Sequence, residues 1–346
     1  MRYLILLILL RSFLPIPASA LEIQAPEAPA SAQAIMPEDT ASFGESLLEL
    51  LQNGIVKIRP DFMDASRIAV SVAAAVMLVS LTKTIADSTS MSAEAAGAAI
   101  IAIPVLTNMN ALISLGSDTV MQLSEYGKLL LPVMTTALAA QGTSVTSAAL
   151  YTGTAAFDVL LCSLISQLLV PLVYILLALS FANSALGEDI LKKMRDLVKW
   201  FISWCLKMIL TVFTTYMSIT GVVSGTTDAA MLKAAKVTIS SVVPVVGGIL
   251  SDASEAVLVS AGLMKNAAGI YGILAILAIF LEPFLRIGVH YIVMKLAAAI
   301  CGLFGAKRMT ELVEDLSSAM GLLLAMTGSV CMLLLISTIC FLKGVR

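Results

Sequence analysis

Glu282, Arg286 and His290 stand four residues apart, which places them on one face of a helix, with Pro283 beside the first. They fall in a long apolar run, where a charge is costly unless it is paired or meets water. One reading makes this face the polar lining of a channel or a contact between helices. The other makes Glu282 and Arg286 a structural pair that neutralises itself within the helix, with His290 packed beside it. Lys207 lies inside a second apolar run, behind Trp200 and Trp204. The aromatic pair fits an interfacial belt to which Lys207 snorkels back; a role in translocation is the alternative. Asp158 stands at the edge of a third run and Asp228 in a loop. A further polar group, Ser251-Asp252-Ala253-Ser254-Glu255, divides two apolar arms within residues 241–269. Ser251 or Asp252 can cap a helix with Glu255 in its first turn, and the same acids are candidates for a partner contact.

A single histidine excludes a His-rich metal site, and the five cysteines form no CxxC pair. Cys162, Cys205, Cys301, Cys331 and Cys340 all lie in apolar runs and read as buried free thiols. No GxxxxGK[ST], GxSxG, HExxH or strand-anchored GxGxxG occurs, and no paired aspartates lie in the spans. No catalytic residue, metal or cofactor is therefore expected, and the chain reads as not an enzyme.

The elements that carry these residues belong to a membrane. Hydrophobic residues make up 59% of the chain and charged residues 13%, against about 45–50% and 25% in soluble domains. Lysine and arginine occur in short clusters rather than on a broad basic face, so lipid is an expected partner and nucleic acid is not. Residues 1–20 read as a signal peptide, with Arg2, an apolar run over 4–10 and the small-residue site Ala18-Ser19-Ala20. Arg11 interrupts that run, which leaves an uncleaved anchor as the alternative. Residues 21–42, rich in Ala, Pro and Glu, are expected to be a flexible linker outside the cytoplasm. Residues 43–66 read as an amphipathic surface helix region, with Leu47, Leu48, Leu51, Ile55 and Ile58 at helical spacing. Two membrane helices follow within 67–115, over about 67–82 and 95–115, the second holding Pro104. Four more spans fall at about 159–182, 200–222, 268–294 and 319–342. Lys192, Lys193, Arg195 and Lys199, and then Lys295, Lys307 and Arg308, place two loops in the cytoplasm. Lys233 and Lys236 run against that rule. The count is six crossings plus two hairpins, with seven or eight as the alternative.

The chain also repeats itself. Residues 132–175 laid on 244–287 without gaps match at ten of 44 positions, including Pro132/Pro244, Ala155/Ala267, Leu169/Leu281 and Pro171/Pro283. After three added residues KKMRDLVK at 192–199 faces KRMTELVE at 307–314, with Lys192/Lys307, Met194/Met309, Leu197/Leu312 and Val198/Val313 identical. Repeat one then covers 129–222 and repeat two 241–342. Each reads as a hairpin, a span, a charged cytoplasmic segment and a span. The first hairpin is LLLPVMTTALAA, the tip QGTSVTS and AALYTGTAAF. The expected fold is an all-α polytopic integral membrane protein. It has two parallel repeats, each a re-entrant or surface helical hairpin plus two transmembrane helices, preceded by two further membrane helices.

The stretch PVVGGILSDASEAVLVSAGLMKNAAGIYG, with WFISWCLKMILTVFTTYMSITGVVSGTTDAAMLKAAK upstream, resembles the stage III sporulation protein AE family over about 40–342. The resemblance implies a multi-pass protein of the mother-cell membrane around the forespore. It would be part of the channel or feeding-tube complex that serves forespore development after engulfment. The partners implied are the other proteins of the same sporulation operon, including an ATPase and ring-forming subunits, and a forespore membrane protein; self-association is left open. The resemblance carries over no catalytic residue. On the combined reading, Lys192, Lys193, Arg195, Lys307 and Arg308 are candidate contacts for a cytoplasmic partner. A stand-alone small-solute permease and a purely structural scaffold are the alternatives.

Overall fold

The computed structural model describes residues 25–37, 43–85, 90–139, 144–187, 189–219, 267–304 and 306–344. Among them every regular element is a helix. A short α1 (Ala30–Gln33) precedes α2 (Phe43–Lys57), α3 (Arg59–Ile85), α4 (Ser90–Ala139) and α5 (Ser144–Leu164). A π-turn (Ile165–Leu169) leads into α6 (Val170–Leu186); then come α7 (Asp189–Ile219), α8 (Ala267–Gly302) and α9 (Lys307–Gly344). The π-turn sits just before Pro171, whose ring nitrogen cannot donate, and a widened turn accommodates that gap.

Successive long helices run up and down. The Ser80 hydroxyl near the end of α3 donates to the Phe304 carbonyl in the α8–α9 turn, 2.5 Å away. At the other end the Tyr216 hydroxyl donates to the Ala149 carbonyl at 2.8 Å, and Gly272 lies against Leu130. Residues 219 and 267 therefore come to the same end of the bundle. Five helical stretches are long and apolar enough to cross a membrane: Arg59–Thr82, Ala148–Leu186, Ile190–Ser218, Gly269–Gly302 and Lys307–Leu342. The pair Ala96–Ala102 and Val105–Thr136, bent by 42° at the break between them, passes the same test together, as a broken span or a re-entrant loop. These fall on the six spans expected, and each is longer.

α9 forms the middle of the bundle. Its run from Ser317 to Leu342 is apolar on every side, and a helix of that kind must be covered all round. α4, α5, α6, α7 and α8 all pack on it. Its hydroxyls stay satisfied by donating to carbonyls of the preceding turn: Thr327 to Leu323, Ser329 to Ala325, Ser337 to Leu333 and Thr338 to Leu334.

Two expectations are corrected. Residues 25–37 are packed rather than a flexible linker. Ala28, Ala32 and Ile35 are buried, the Ala28 N–H donates to the Tyr271 hydroxyl at 3.2 Å, Tyr126 donates to the Pro26 carbonyl at 3.2 Å, and Ser31 to Gln122 at 2.7 Å. The first hairpin is not a pair of short arms. Its first arm is the end of the long α4, and its second is the start of α5, which runs on towards α6. Residues 140–143, where its tip begins, lie outside the described residues, as do the signal peptide, Asp228 and the second hairpin up to 266, including Ser251, Asp252 and Glu255. The surface region divides: α2 buries Phe43, Ser46, Leu50 and Gly54 against α8, whereas residues 59–66 already belong to α3. The Leu281 side chain fills the space beside Gly54, where an added Cβ would meet its Cδ2 at 2.8 Å. All five cysteines are free thiols, four of them buried.

Candidate functional site

The densest charge among the described residues is a seam between the first turns of α7 and α9, the two segments that match in sequence. Lys192, Arg195 and Lys199 share one face of α7, and Glu311 and Asp315 share one face of α9. Lys192 Nζ lies 3.1 Å from Glu311 Oε1, Arg195 Nη1 2.7 Å from Asp315 Oδ2, and Lys199 Nζ 2.6 Å from Asp315 Oδ1. Arg195 also donates through Nε to Asp196 at 3.1 Å and stands 3.9 Å from Glu311. The Arg195 and Asp315 side chains are only 6% and 5% exposed, so neither relies on water. Arg195 and Lys192 are thus engaged within the chain, whereas Lys193 and Lys307 are exposed. Asp315, the hub of the seam, escaped the sequence reading because it stands where the first segment has Trp200. The signal for it was the four-residue spacing of Glu311 and Asp315 opposite the bases of the matching segment.

The turn before α7 fixes this geometry. Gly187 closes α6 in the left-handed region, φ 71°, with its N–H donating to Asn183 at 2.8 Å. The Arg308 guanidinium lies directly over it. Gly187→Ala is expected to cost about 1–3 kcal/mol, from the backbone strain and the displaced guanidinium. Gly288→Ala, with open space around it in mid-helix, should gain a few tenths to about 1 kcal/mol. Thermal unfolding of the two variants in detergent checks both.

Glu282, Arg286 and His290 do lie on one helix, but the expected internal pair does not form. Glu282 pairs with Lys57 of α2 at 3.0 Å, and Arg286 pairs with Asp61 of α3 at 2.8 Å. A partner on another helix reaches each charge in open geometry, whereas pairing within one turn would leave Lys57 and Asp61 without one. His290 is 3% exposed, and its Nδ1 donates to the Arg286 carbonyl at 2.9 Å, since a carbonyl can only accept. The face is a contact between helices. Lys207 is exposed on α7, and the Trp200 and Trp204 rings stack at 6.1 Å.

Asp158 is not at the end of a span. It is 2% exposed inside the bundle, accepting from the Ser124 hydroxyl at 2.7 Å and facing the Cys162 thiol at 3.8 Å. One turn earlier Thr154 Oγ1 is buried without a partner. Sequence missed this site because Ser124 falls between the expected spans. Among the described residues no group of three or more His, Cys, Asp or Glu side chains could hold a metal.

A family model described as stage III sporulation protein AE matches residues 34–344. The stage III sporulation protein AE of Bacillus subtilis (strain 168) is 24% identical over 239 residues, which is 69% of this chain and 60% of that relative. The chain therefore matches less than two thirds of the length of that curated relative. No solved structure matches. With the family model covering nearly the whole chain, and with apolar helices able to cross a membrane, this protein belongs to the stage III sporulation protein AE family.

Proposed function

We propose that this protein is a membrane component of the complex that joins mother cell and forespore during endospore formation. It sits in the mother-cell membrane around the forespore and acts after engulfment. The family match over residues 34–344 carries this reading, and the set of apolar helices supports it. The partners are the other proteins of the same operon, among them a cytoplasmic ATPase and ring-forming subunits, together with a forespore membrane protein. The ATPase meets the end of the bundle that holds the turns before α7 and α9, where the positive charge gathers. The subunit performs no catalysis.

One observation favours the scaffold form of this role. The axis of the described bundle is filled by α9, so material that crosses the complex passes beside this subunit or between subunits. A stand-alone permease is the competing class. The test is to delete the gene in its host and to complement it with a tagged copy. Sporulation should stop after engulfment in the deletion strain, and the tagged chain should co-purify with the ATPase. Normal spore yield without the gene, or solute uptake by vesicles holding this chain alone, would sink the proposal.

A further inference from the structure

The contact between the duplicated segments has a direction. Three residues of α9 reach onto the α6–α7 unit: Arg308 lies over Gly187, Met309 Sδ accepts from the Ser184 hydroxyl at 3.9 Å, and Glu311 pairs with Lys192 at 3.1 Å. The offset of 115 positions that aligns KKMRDLVK with KRMTELVE also aligns Gly187 with Gly302. Under it the three reaching residues correspond to Lys193, Met194 and Asp196. The three receiving residues correspond to Gly302, Ala299 and Lys307. All six counterparts are exposed.

Met194 is identical to Met309, yet it is 50% exposed where Met309 is fully buried. An acid stands at both 196 and 311, and a lysine at both 192 and 307. The surroundings are apolar on both sides: Ile190 and Leu197 on α7, and Leu296, Ile300 and Leu303 at the end of α8, each at least half exposed. Lipid tails do not account for the α7 part of this surface. Residues 190–197 lie on the stretch that carries Lys192, Lys193, Arg195, Asp196 and Lys199, before the tryptophan belt.

We infer that copies of this chain associate head to tail, α7 of one copy docking on the α8–α9 turn of the next. The contact repeats between chains the one that α9 makes on the α6–α7 unit within a chain. The occupant is a second copy because the two complementary surfaces both belong to this sequence: Asp196 meets Lys307, Met194 meets Ala299, and Lys193 covers Gly302. The apolar flanks supply the affinity, and the charge pair sets the register. A contact of this heterologous kind closes into a ring when the rotation per copy divides a full turn. The inference rests on the duplication and is independent of the role in sporulation.

The experiment uses two differently tagged full-length chains, one with Met194→Cys and one with Ala299→Cys, co-expressed in the membranes of a non-sporulating host. A short bis-maleimide should give a covalent dimer carrying both tags, well above the background from the native cysteines. Asp196→Lys on the Met194→Cys chain should lower its yield about tenfold or more, because it sets two lysines face to face. Lys307→Asp on the other chain should restore it. The proposal is overturned by no mixed dimer although both thiols react with a monofunctional maleimide, by a mixed dimer indifferent to the charge reversal, or by dimers through Met194→Cys alone. A Met194→Cys thiol protected within a monomer also overturns it, since its own chain would then cover the face. The host forms no spores, so failure here leaves the sporulation reading untouched.

Discussion

Asp315→Ala should destabilise the protein by about 3 kcal/mol, near the lower edge of the range for breaking a buried ion pair. The size follows from what the mutation leaves behind. Asp315 accepts from Arg195 at 2.7 Å and from Lys199 at 2.6 Å, and its removal strands a guanidinium that is only 6% exposed. Asp196 at 3.1 Å and Glu311 at 3.9 Å still face Arg195, which keeps the loss from reaching the upper edge. Arg195→Ala should cost a similar amount, because it leaves the Asp315 carboxylate with Lys199 alone. The double variant Arg195→Met with Asp315→Leu removes both charges and should recover most of the loss. Unfolding of the wild type, the Arg195→Met and Asp315→Leu single variants and their double variant in one detergent closes a double-mutant cycle and gives the coupling directly. Additive losses would show that the seam does not act as a pair. The Lys57–Glu282 pair, with both side chains 40% exposed, should contribute under about 1 kcal/mol by the same measurement.

The helices able to cross a membrane were legible because a crossing needs about 20 apolar residues, and that signal survives without any knowledge of neighbours. The matching of KKMRDLVK with KRMTELVE was legible too, and those segments prove to face each other. What stayed hidden was the continuation of helices through polar residues. The arms of the first hairpin looked short because Ser124, Glu125 and Lys128 precede one and Asp158 ends the other. Those residues lie within α4 and α5, where Ser124 and Asp158 satisfy each other inside the protein rather than in lipid. The packing of residues 25–37 is hidden for a related reason. Their composition is that of a linker, but their contacts run through backbone groups of Pro26 and Ala28 and through small buried side chains. The partners of Glu282 and Arg286 lie on α2 and α3, more than 220 positions away, and no local spacing points to them.

Ser329→Asp in α9 should abolish stable folding. Ser329 is 0% exposed, and its hydroxyl is already satisfied by the Ala325 carbonyl. A carboxylate there has no cation within the apolar turns around it, and an isolated buried charge costs several kcal/mol even after it is neutralised by uptake of a proton. That is a large fraction of the roughly 5–15 kcal/mol by which folded proteins are stable. Ala325→Asp, one turn earlier and 2% exposed, should behave in the same way. If instead α9 lined a water-filled path, an acid on the lined face would be hydrated and both proteins would accumulate normally. Protein yield, protease resistance in membranes and monodispersity in detergent measure the outcome. A chain that tolerates acids at both 325 and 329 would show that the bundle opens around α9. The scaffold form of the proposed role would then give way to a conduit through the subunit.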